Sequence, residues 1–413
     1  MTDNESEKTP LLRFRAYSEA WKHKKLGEVA DIIGGGTPST SIDDYWNGDI
    51  DWYSPMEIGE QIYVSDSRKK VTELGIQKSS AKILPVGTVL FTSRAGIGNT
   101  AILAKEGATN QGFQSIVPRK QWLDSYFIFS RTKELKRYGE VHGGGSTFLE
   151  VSGKLMGEMP ISLPSLEEQV KIGDFFRELD NIISFQQREL ELLQLEKQSL
   201  LLKMFPNECE LVPELRFNGF TDAWEQRKLG DVSESFEYGL NASAKEYDGL
   251  HKYIRITDID ESSRNFNQEC LTSPDIDFST ADTYILKTGD LLFARTGASV
   301  GKSYLYHECD GFVYYAGFLI RARLKNEYNA EFVFQYTLTG QYNKYIQVMS
   351  QRSGQPGVNA EEYSKFSLSI PNLKEQKVIG DFFSKIDNTI TLHQRKLETI
   401  IEIKKNLLKN MFI

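Results

Sequence analysis

One long segment occurs twice in the chain, and this duplication constrains the fold more than any other feature. The first copy runs from about Glu167 to Phe205 and the second from about Lys374 to Phe412. The copies align without a gap at an offset of 207 residues (379 − 172 for one matched pair of isoleucines). Apolar residues step by four and three along both copies, which is the heptad pattern of a coiled coil. These apolar positions are Ile172, Phe176, Leu179, Ile183 and Leu190 in the first copy and Ile379, Phe383, Ile386, Ile390 and Leu397 in the second.

Two matched helices in one chain can pair with each other, and we predict that they do. A generic coiled coil that dimerises two chains is the alternative. Two heptad positions are polar in both copies, one occupied by Gln186 and His393 and the other by Lys197 and Lys404. Buried polar residues at such positions lower stability but fix the register of a coiled coil. These residues therefore either set the register of the helices or contact another protein.

The repeat also includes the beginning of each half. Leu12-Arg13-Phe14 recurs as Leu215-Arg216-Phe217, here at an offset of 203 residues (215 − 12). We predict an α+β fold with two globular domains separated by the two long helices, arranged as a pseudo-two-fold internal repeat. The predicted regions are an N-terminal segment (1–24), a first globular domain (25–160), a region with the first long helix (161–212), a repeat of the N-terminal segment (213–227), a second globular domain (228–367) and a region with the second long helix (368–413).

Within the globular domains we predict short, mainly antiparallel strands. The alternating, β-rich run from Tyr253 to Ile259 predicts one strand. One helix is predicted in each half, around Trp122 to Tyr138 and around Glu331 to Met349.

Composition restricts the class of protein. The formal net charge of −8 is unusual for a nucleic-acid binder, although binding depends on local patches of charge. The three cysteines, Cys209, Cys270 and Cys309, are widely spaced and indicate a reduced, cytoplasmic protein without structural zinc. No apolar stretch is long enough to span a membrane, so we expect no membrane association.

One loop resembles the phosphate-binding loop of nucleotide hydrolases. In Gly297 to Ser303, however, only three residues separate the glycines, whereas the motif GxxxxGK[ST] needs four. The equivalent loop of the first half has Asn99 where the motif requires lysine. A phosphate-loop enzyme is therefore disfavoured. The loop is either a tight surface turn or a backbone segment that approaches a phosphodiester, with Arg295 and Lys302 supplying charge.

No catalytic motif is present in the sequence. The chain has no Pro-Pro pair, which excludes the [DNS]PP[YFW] motif of amino-methyltransferases, and its five histidines are scattered. We therefore predict no catalytic residue and no metal site.

What remains is a duplicated set of polar, glycine-spaced loops. Arg pairs with guanine and Asn or Gln with adenine in the major groove, while Ser, Thr and loop amides suit phosphates. The candidate DNA contacts are Gly35, Thr37, Ser39, Arg94, Gly96, Gln111, Gln114, Gly144, Ser146 and Thr147 in the first half and Asn241, Ser243, Arg255, Thr257, Arg295, Thr296, Ser299, Lys302, Gln351, Arg352 and Ser353 in the second.

Both long segments begin with PxLxEQxxIGDFFxxxDN, at Pro164 to Asn181 and at Pro371 to Asn388. Together with GGTPS (from Gly35), YIRITDI (from Tyr253) and FARTGASVGK (from Phe293), these motifs resemble the specificity (S) subunit of type I restriction–modification systems. The resemblance covers essentially the whole chain. SRAGIGN in the first half departs from the family-like loop, because it lacks the Thr and Lys of RTGASVGK.

The resemblance implies two target recognition domains and two antiparallel helices. Each domain would read one half of a bipartite, double-stranded DNA target, and the helices would set the spacing between the halves. It also implies two modification (methyltransferase) subunits and two restriction (translocase and endonuclease) subunits as partners. S-adenosylmethionine, ATP and magnesium would belong to those partners, with no cofactor and no catalysis in this chain. A coiled-coil scaffold that never touches DNA is the remaining alternative.

Overall fold

A computed structural model describes residues 9–59, 61–94, 96–144, 149–208, 210–351 and 356–412 of the chain. Four of the candidate DNA contacts, Ser146, Thr147, Arg352 and Ser353, lie outside the described residues. The chain forms two compact units, Met1–Phe185 with Leu397–Ile413 and Gln186–Lys396. In the described ranges, no helix combines the length and the apolar character needed to cross a membrane.

The first half is a mixed α+β domain. Its main sheet has the order β2-β9-β6-β7-β4, a second sheet has the order β5-β3-β8, and β1 pairs with β10. The prediction of mainly antiparallel pairing is confirmed, although β3–β8 and β4–β7 are parallel. The strands are β1 (Lys22–Lys25), β2 (Ala30–Gly34), β3 (Trp46–Tyr53), β4 (Tyr63–Val64), β5 (Lys69–Val71), β6 (Val89–Phe91), β7 (Thr100–Leu103), β8 (Gly107–Thr109), β9 (Gln114–Pro118) and β10 (Pro160–Leu163), and the helices are α1 (Leu26–Val29), α2 (Glu73–Gln77), α3 (Ser125–Ser130), α4 (Thr132–His142), α5 (Gly153–Gly157) and α6 (Leu166–Met204).

The second half repeats this plan. Its main sheet has the order β12-β19-β16-β17, and three two-stranded pairs are β11-β20, β13-β15 and the parallel pair β14-β18. The strands are β11 (Glu225–Lys228), β12 (Ser233–Tyr238), β13 (Ala244–Glu246), β14 (Lys252–Ile254), β15 (Thr272–Pro274), β16 (Asp290–Ala294), β17 (Ser303–Leu305), β18 (Val313–Tyr315), β19 (Leu319–Leu324) and β20 (Ser367–Ile370), and the helices are α7 (Leu229–Val232), α8 (Ala330–Tyr336), α9 (Gly340–Ser350), α10 (Ala360–Ser364) and α11 (Leu373–Met411).

Two predictions of secondary structure were wrong in detail. The strand predicted to reach Ile259 ends at Ile254, because Ile256–Asp258 forms a 3-10 turn. The carboxylate of Asp258, the last residue of this turn, accepts the backbone N–H of Arg255 at 2.9 Å. Each helix predicted after the sheet is two short helices, α3 with α4 and α8 with α9. In the second half, a new N-cap separates the two short helices, because the Thr339 hydroxyl accepts the backbone N–H of Tyr342 and α9 starts there.

In each unit, the end of one long helix enters the core beside the start of the other. In the first unit, Phe412 stacks on Phe176 with ring centroids 5.8 Å apart and contacts Trp21. In the second unit, Phe205 packs on Phe383 at 5.9 Å and contacts Trp224 at 6.2 Å. Burying a Phe side chain contributes about 1.5–3 kcal/mol, so these rings anchor the helix ends to the domains.

The two helices run antiparallel in both units. Asp180 bonds to Lys404 while Phe176 contacts Phe412, so the residue number falls along α11 as it rises along α6. In the second unit, Lys197 Nζ lies 2.6 Å from Asp387 Oδ1, again between the two helices. Of the predicted heptad residues, Ile172, Phe176, Ile379, Phe383 and Ile390 are buried, and Leu179, Ile183, Leu190, Ile386 and Leu397 are half-buried.

The polar heptad positions now have partners. The two lysines are both largely shielded from solvent and each ion-pairs with an aspartate of the other helix. At the other polar position, Gln186 Nε2 donates to Glu189 at 2.9 Å and His393 Nδ1 lies 3.9 Å from the same carboxylate. Removing one partner of a shielded ion pair leaves a charge without compensation. A shift of the helices would separate both pairs, so these residues favour a single register.

Candidate nucleic-acid interface

The loop after the first strand of each main sheet is packed tightly against the neighbouring strand end. A Cβ on Gly35 would lie 2.0 Å from the Asn110 carbonyl oxygen, and a Cβ on Gly239 would lie 2.2 Å from that of Ala316. Only glycine fits at these two places, which are equivalent in the two halves. The chain therefore follows the same path into both loops, and Asn241 and Ser243 occupy the places of Thr37 and Ser39.

An aromatic side chain donates a hydrogen bond to a backbone carbonyl of each of these loops. Trp52 Nε1 donates to the Gly36 carbonyl at 2.9 Å, and the Tyr253 hydroxyl donates to the Leu240 carbonyl at 3.0 Å. Both donors lie next to the end of a strand that pairs in parallel, β3 in one half and β14 in the other. Sequence reasoning missed these residues. The available signal was their equal position in the repeat, which a Trp-to-Tyr difference concealed.

The polar side chains of the two loops face outward. Thr37 donates to the side chain of Gln111, so the structure brings these two candidates together. Ser39 is exposed and bonds to the Ser41 hydroxyl at 2.9 Å. Asn241 and Ser243 are also exposed. Amide and hydroxyl groups in this position are available to a base edge or a phosphate.

A 3-10 turn follows the parallel strand in both halves, and the carboxylate of its last residue accepts the backbone N–H of the residue before the turn. In the first half, Glu57 accepts the backbone N–H of Ser54 at 2.9 Å. In the second half, Arg255 occupies the place of that serine and forms two 2.8 Å bonds with the Asp258 carboxylate. This hydrogen bonding raises the pKa of Arg255. The Arg255 guanidinium is thus oriented by an acidic neighbour, and the adjacent Thr257 side chain is exposed.

The glycine-rich loops follow β6 and β16. Arg295 in the second loop lies over the ring of Tyr238, with 5.1 Å between guanidinium carbon and ring centroid. Within the described ranges, no carboxylate forms an ion pair with Arg295. In the first loop, Arg94 lies 3.6 Å from Glu150, whose backbone also pairs with Gly144.

The two arginines are not equivalent in position. Arg295 N–H donates to the Phe318 carbonyl at 3.0 Å, and the matching donor in the first half is the buried Ser93, which donates to Gly112 at 2.8 Å. Arg94 instead takes the place of Thr296. Each pairs through its backbone with the segment before the last short helix of its half, Arg94 with Glu150 and Thr296 with Gly357. The halves therefore present a guanidinium from neighbouring, not identical, backbone positions.

Other candidates lie around these loops. The Gln114 side chain packs over Gly34, and a Cβ added to that glycine would lie 3.5 Å from Gln114 Oε1. Gly96 adopts a positive φ of 105° and has open space around it. Gln351 is exposed after α9, and the backbone carbonyl of Ser299 accepts the N–H of Lys302 at 3.0 Å.

The Gly297 loop lacks the construction of a nucleotide-hydrolase phosphate loop. Such a loop leads into a helix, whose first N–H groups hold the phosphates. Here the loop leads into β17, a buried strand. Lys302 is only 8% exposed, and its ammonium donates to the Ile259 carbonyl at 3.2 Å and contacts Glu261 at 2.6 Å. The structure therefore contradicts the phosphate-loop alternative at this site.

Buried charge supports the first domain behind the loops. Asp51 is fully buried in β3 and is bonded by Ser67 and by Lys105 at 3.2 Å. Burial opposes its ionisation, but these bonds outweigh it and lower the pKa of Asp51. Among the described residues, no group of three or more His, Cys, Asp or Glu side chains is placed to hold a metal ion.

Comparisons with known proteins agree with the duplication. The family of the type I restriction modification DNA specificity domain matches residues 18–195 and again residues 221–402. The MjaIX specificity subunit of Methanocaldococcus jannaschii is 36% identical over 239 residues, which cover 55% of this chain and 54% of that protein. The EcoR124I/EcoR124II specificity subunit of Escherichia coli is 31% identical over 45% of this chain and 47% of that protein. This chain thus spans about half the length of these two curated relatives.

Longer matches are more distant in sequence. The MjaVIII specificity subunit of Methanocaldococcus jannaschii is 21% identical over 94% of this chain and 91% of that protein. The crystal structure of an S subunit from M. genitalium superposes with a TM-score of 0.65 at 14% identity, covering 98% of this chain and 99% of the other. A chain from a study of complex assembly and conformational transition of the type I R-M system has a TM-score of 0.51 at 15% identity, covering 95% and 97%. At these identities the structural likeness concerns the fold alone.

Proposed function

This chain belongs to the type I restriction–modification DNA specificity family, and on that premise we propose that it reads a bipartite target on double-stranded DNA. Each globular domain reads one half of the target. The two long helices determine the distance between the halves that the protein accepts.

The observation that supports this proposal best is the duplicated loop architecture. Each half carries the same glycine-anchored loop, held by Trp52 or Tyr253, beside a capped 3-10 turn and a glycine-rich loop with an arginine. The shared features are backbone paths and internal hydrogen bonds, whereas the exposed side chains differ between the halves. A common scaffold with different exposed donors and acceptors is suited to reading two different sequences.

We propose that the chemistry of the system lies in partner subunits. Two modification subunits would bring S-adenosylmethionine and methylate adenine, and two restriction subunits would use ATP and magnesium. The net charge of −8 fits this division, because partners that surround the DNA supply the positive charge that this chain lacks. This predicts that the isolated chain binds its target more weakly than the assembled complex does at physiological salt.

Single-molecule methylome sequencing tests the proposal directly. Cells that express this chain with its modification subunit should acquire adenine methylation at one split sequence with a constant spacer. Exchanging residues 25–160 for the corresponding domain of a relative should change one half of that sequence and leave the other half and the spacer intact. Unchanged methylation after the exchange would favour a scaffold that does not touch DNA.

A further inference from the structure

The glycine-rich loops of the two halves end at structurally equivalent residues, Asn99 and Lys302. In the first half, Thr92 donates its backbone N–H to the Asn99 carbonyl at 3.0 Å. In the second half, Ala294 donates to the Lys302 carbonyl at 2.8 Å. The glycine just before each residue donates back to the same strand residue at 3.0 Å. The loops therefore close in the same way although they differ in length and sequence.

The side chains of Asn99 and Lys302 make the same contact. Asn99 Nδ2 donates to the Ile58 carbonyl, and Lys302 Nζ donates to the Ile259 carbonyl, each at 3.2 Å. Both isoleucines are buried and directly follow the capped 3-10 turn of their half. One donor is a neutral amide and the other is an ammonium, so the contact that the halves share is the hydrogen bond and not the charge.

The Lys302 ammonium is already occupied inside the protein. Its second partner is the Glu261 carboxylate at 2.6 Å, a side chain that is itself 76% exposed. The Lys302 bond also lowers the pKa of Glu261. To reach a phosphate, the ammonium would have to leave both the Glu261 carboxylate and the Ile259 carbonyl.

We propose that Lys302, and Asn99 in the first half, are positioning residues that tie the glycine-rich loop to the 3-10 turn. In the second half this hydrogen bond fixes the loop that carries Arg295 relative to the turn that carries Arg255 and Thr257. Lys302 then supports the reading surface without donating to DNA. This inference rests on the proposed function only for its effect on DNA binding, because the tie itself is a property of the protein alone.

The test compares Lys302→Ala with Lys302→Asn, the residue of the first half, and Lys302→Gln. Hydrogen exchange reports the tie in segments 255–259 and 297–302, and binding of the methylome-defined target by the assembled complex is measured across a series of salt concentrations. Lys302→Ala should speed exchange in both segments and weaken binding by about tenfold, the scale of one hydrogen bond from a charged donor. Lys302→Asn or Lys302→Gln should restore both.

The salt dependence separates the tie from a phosphate contact. Losing one phosphate contact reduces the slope of log K against log salt by about one, so we expect the same slope in all Lys302 variants. Asn99→Ala should speed exchange in segment 55–58 of the first half. Unchanged exchange in Lys302→Ala would overturn the proposal, and so would a reduced slope in Lys302→Asn. If the complex binds no split target at all, the proposed function fails while the exchange data still decide the tie.

Discussion

Replacing Glu331 with glutamine should make the second unit more stable above neutral pH. Glu331 lies at the start of α8 with only 23% of its side chain exposed, and its carboxylate is 3.8 Å from His307 Nδ1. Burial raises its pKa from 4.5 to about 7, and the nearby charges of Asp387 and Asp381 add to this, while Lys197 opposes it. The first half has Tyr126 at the equivalent place, where the hydroxyl donates to Asp180 at 2.8 Å.

The sign follows from the proton balance. Below pH 4.5, Glu331 is protonated in both the folded and the unfolded chain, so ionisation costs nothing. Between pH 4.5 and about 7, the unfolded chain loses this proton while the folded chain keeps it, so the free energy of unfolding falls as the pH rises. The full difference, 7 − 4.5, corresponds to about 3 kcal/mol, and partial exposure reduces it to about 2 kcal/mol. Glutamine removes this loss.

Urea unfolding at several pH values measures the free energy of unfolding of the second unit. Hydrogen exchange in peptides of α8, at the same pH values, measures the local stability around Glu331. The difference in the free energy of unfolding between Glu331→Gln and the parent protein should grow by about 2 kcal/mol in favour of the variant as the pH rises from 5 to 8. The exposed Glu327, near the same helix, provides the control substitution. A His307→Gln background removes the neighbouring imidazole, whose Nδ1 lies 3.8 Å from the Glu331 carboxylate. A stability difference that stays constant from pH 5 to pH 8 would refute the reasoning.

Three further predictions concern the loops and the helices. Tyr253→Phe removes the donor to the Leu240 carbonyl and should lower the free energy of unfolding by about 1–2 kcal/mol in urea titrations. An unchanged free energy of unfolding would contradict a stabilising role for this hydrogen bond. Arg295→Ala should weaken target binding of the complex and reduce its salt slope by about one, and Arg94→Ala should do the same through the other half-site; a scaffold would show neither effect. Deleting one heptad from each long helix should shorten the spacer in methylome sequencing and leave both half-sites unchanged, so altered half-sites with an unchanged spacer would contradict it.

The scaffold was largely predictable because its signals are local and repeated. The long helices were predicted from Glu167 and Lys374 and begin at Leu166 and Leu373. Their heptad pattern also predicted that they pair, since a stripe of apolar residues on a long helix must be covered. The strand and helix boundaries inside the domains were less accurate, because single capping residues such as Thr339 end or restart elements without changing the periodicity.

The candidate nucleic-acid interface was only partly predictable. Its glycines and arginines were identified from composition and duplication, but Trp52 and Tyr253 were missed and Lys302 was interpreted as a phosphate ligand. The roles of these three residues depend on carbonyl groups that are 16, 13 and 43 positions away along the chain. No periodicity reports which carbonyl a side chain will reach.

The sequence by itself determined the duplication, the two long helices and the family, because heptad spacing and repeated motifs are properties of residue order. The heptad stripe alone left the direction of pairing open, since it is compatible with parallel and antiparallel packing alike. The family resemblance implied antiparallel helices, and the tertiary structure shows that arrangement and the contacts that fix it. The ion pairs of Lys197 with Asp387 and of Lys404 with Asp180 show why one of the two polar heptad positions is lysine in both copies. Each finds its aspartate on the other helix, and that placement exists only after the chain has folded back on itself.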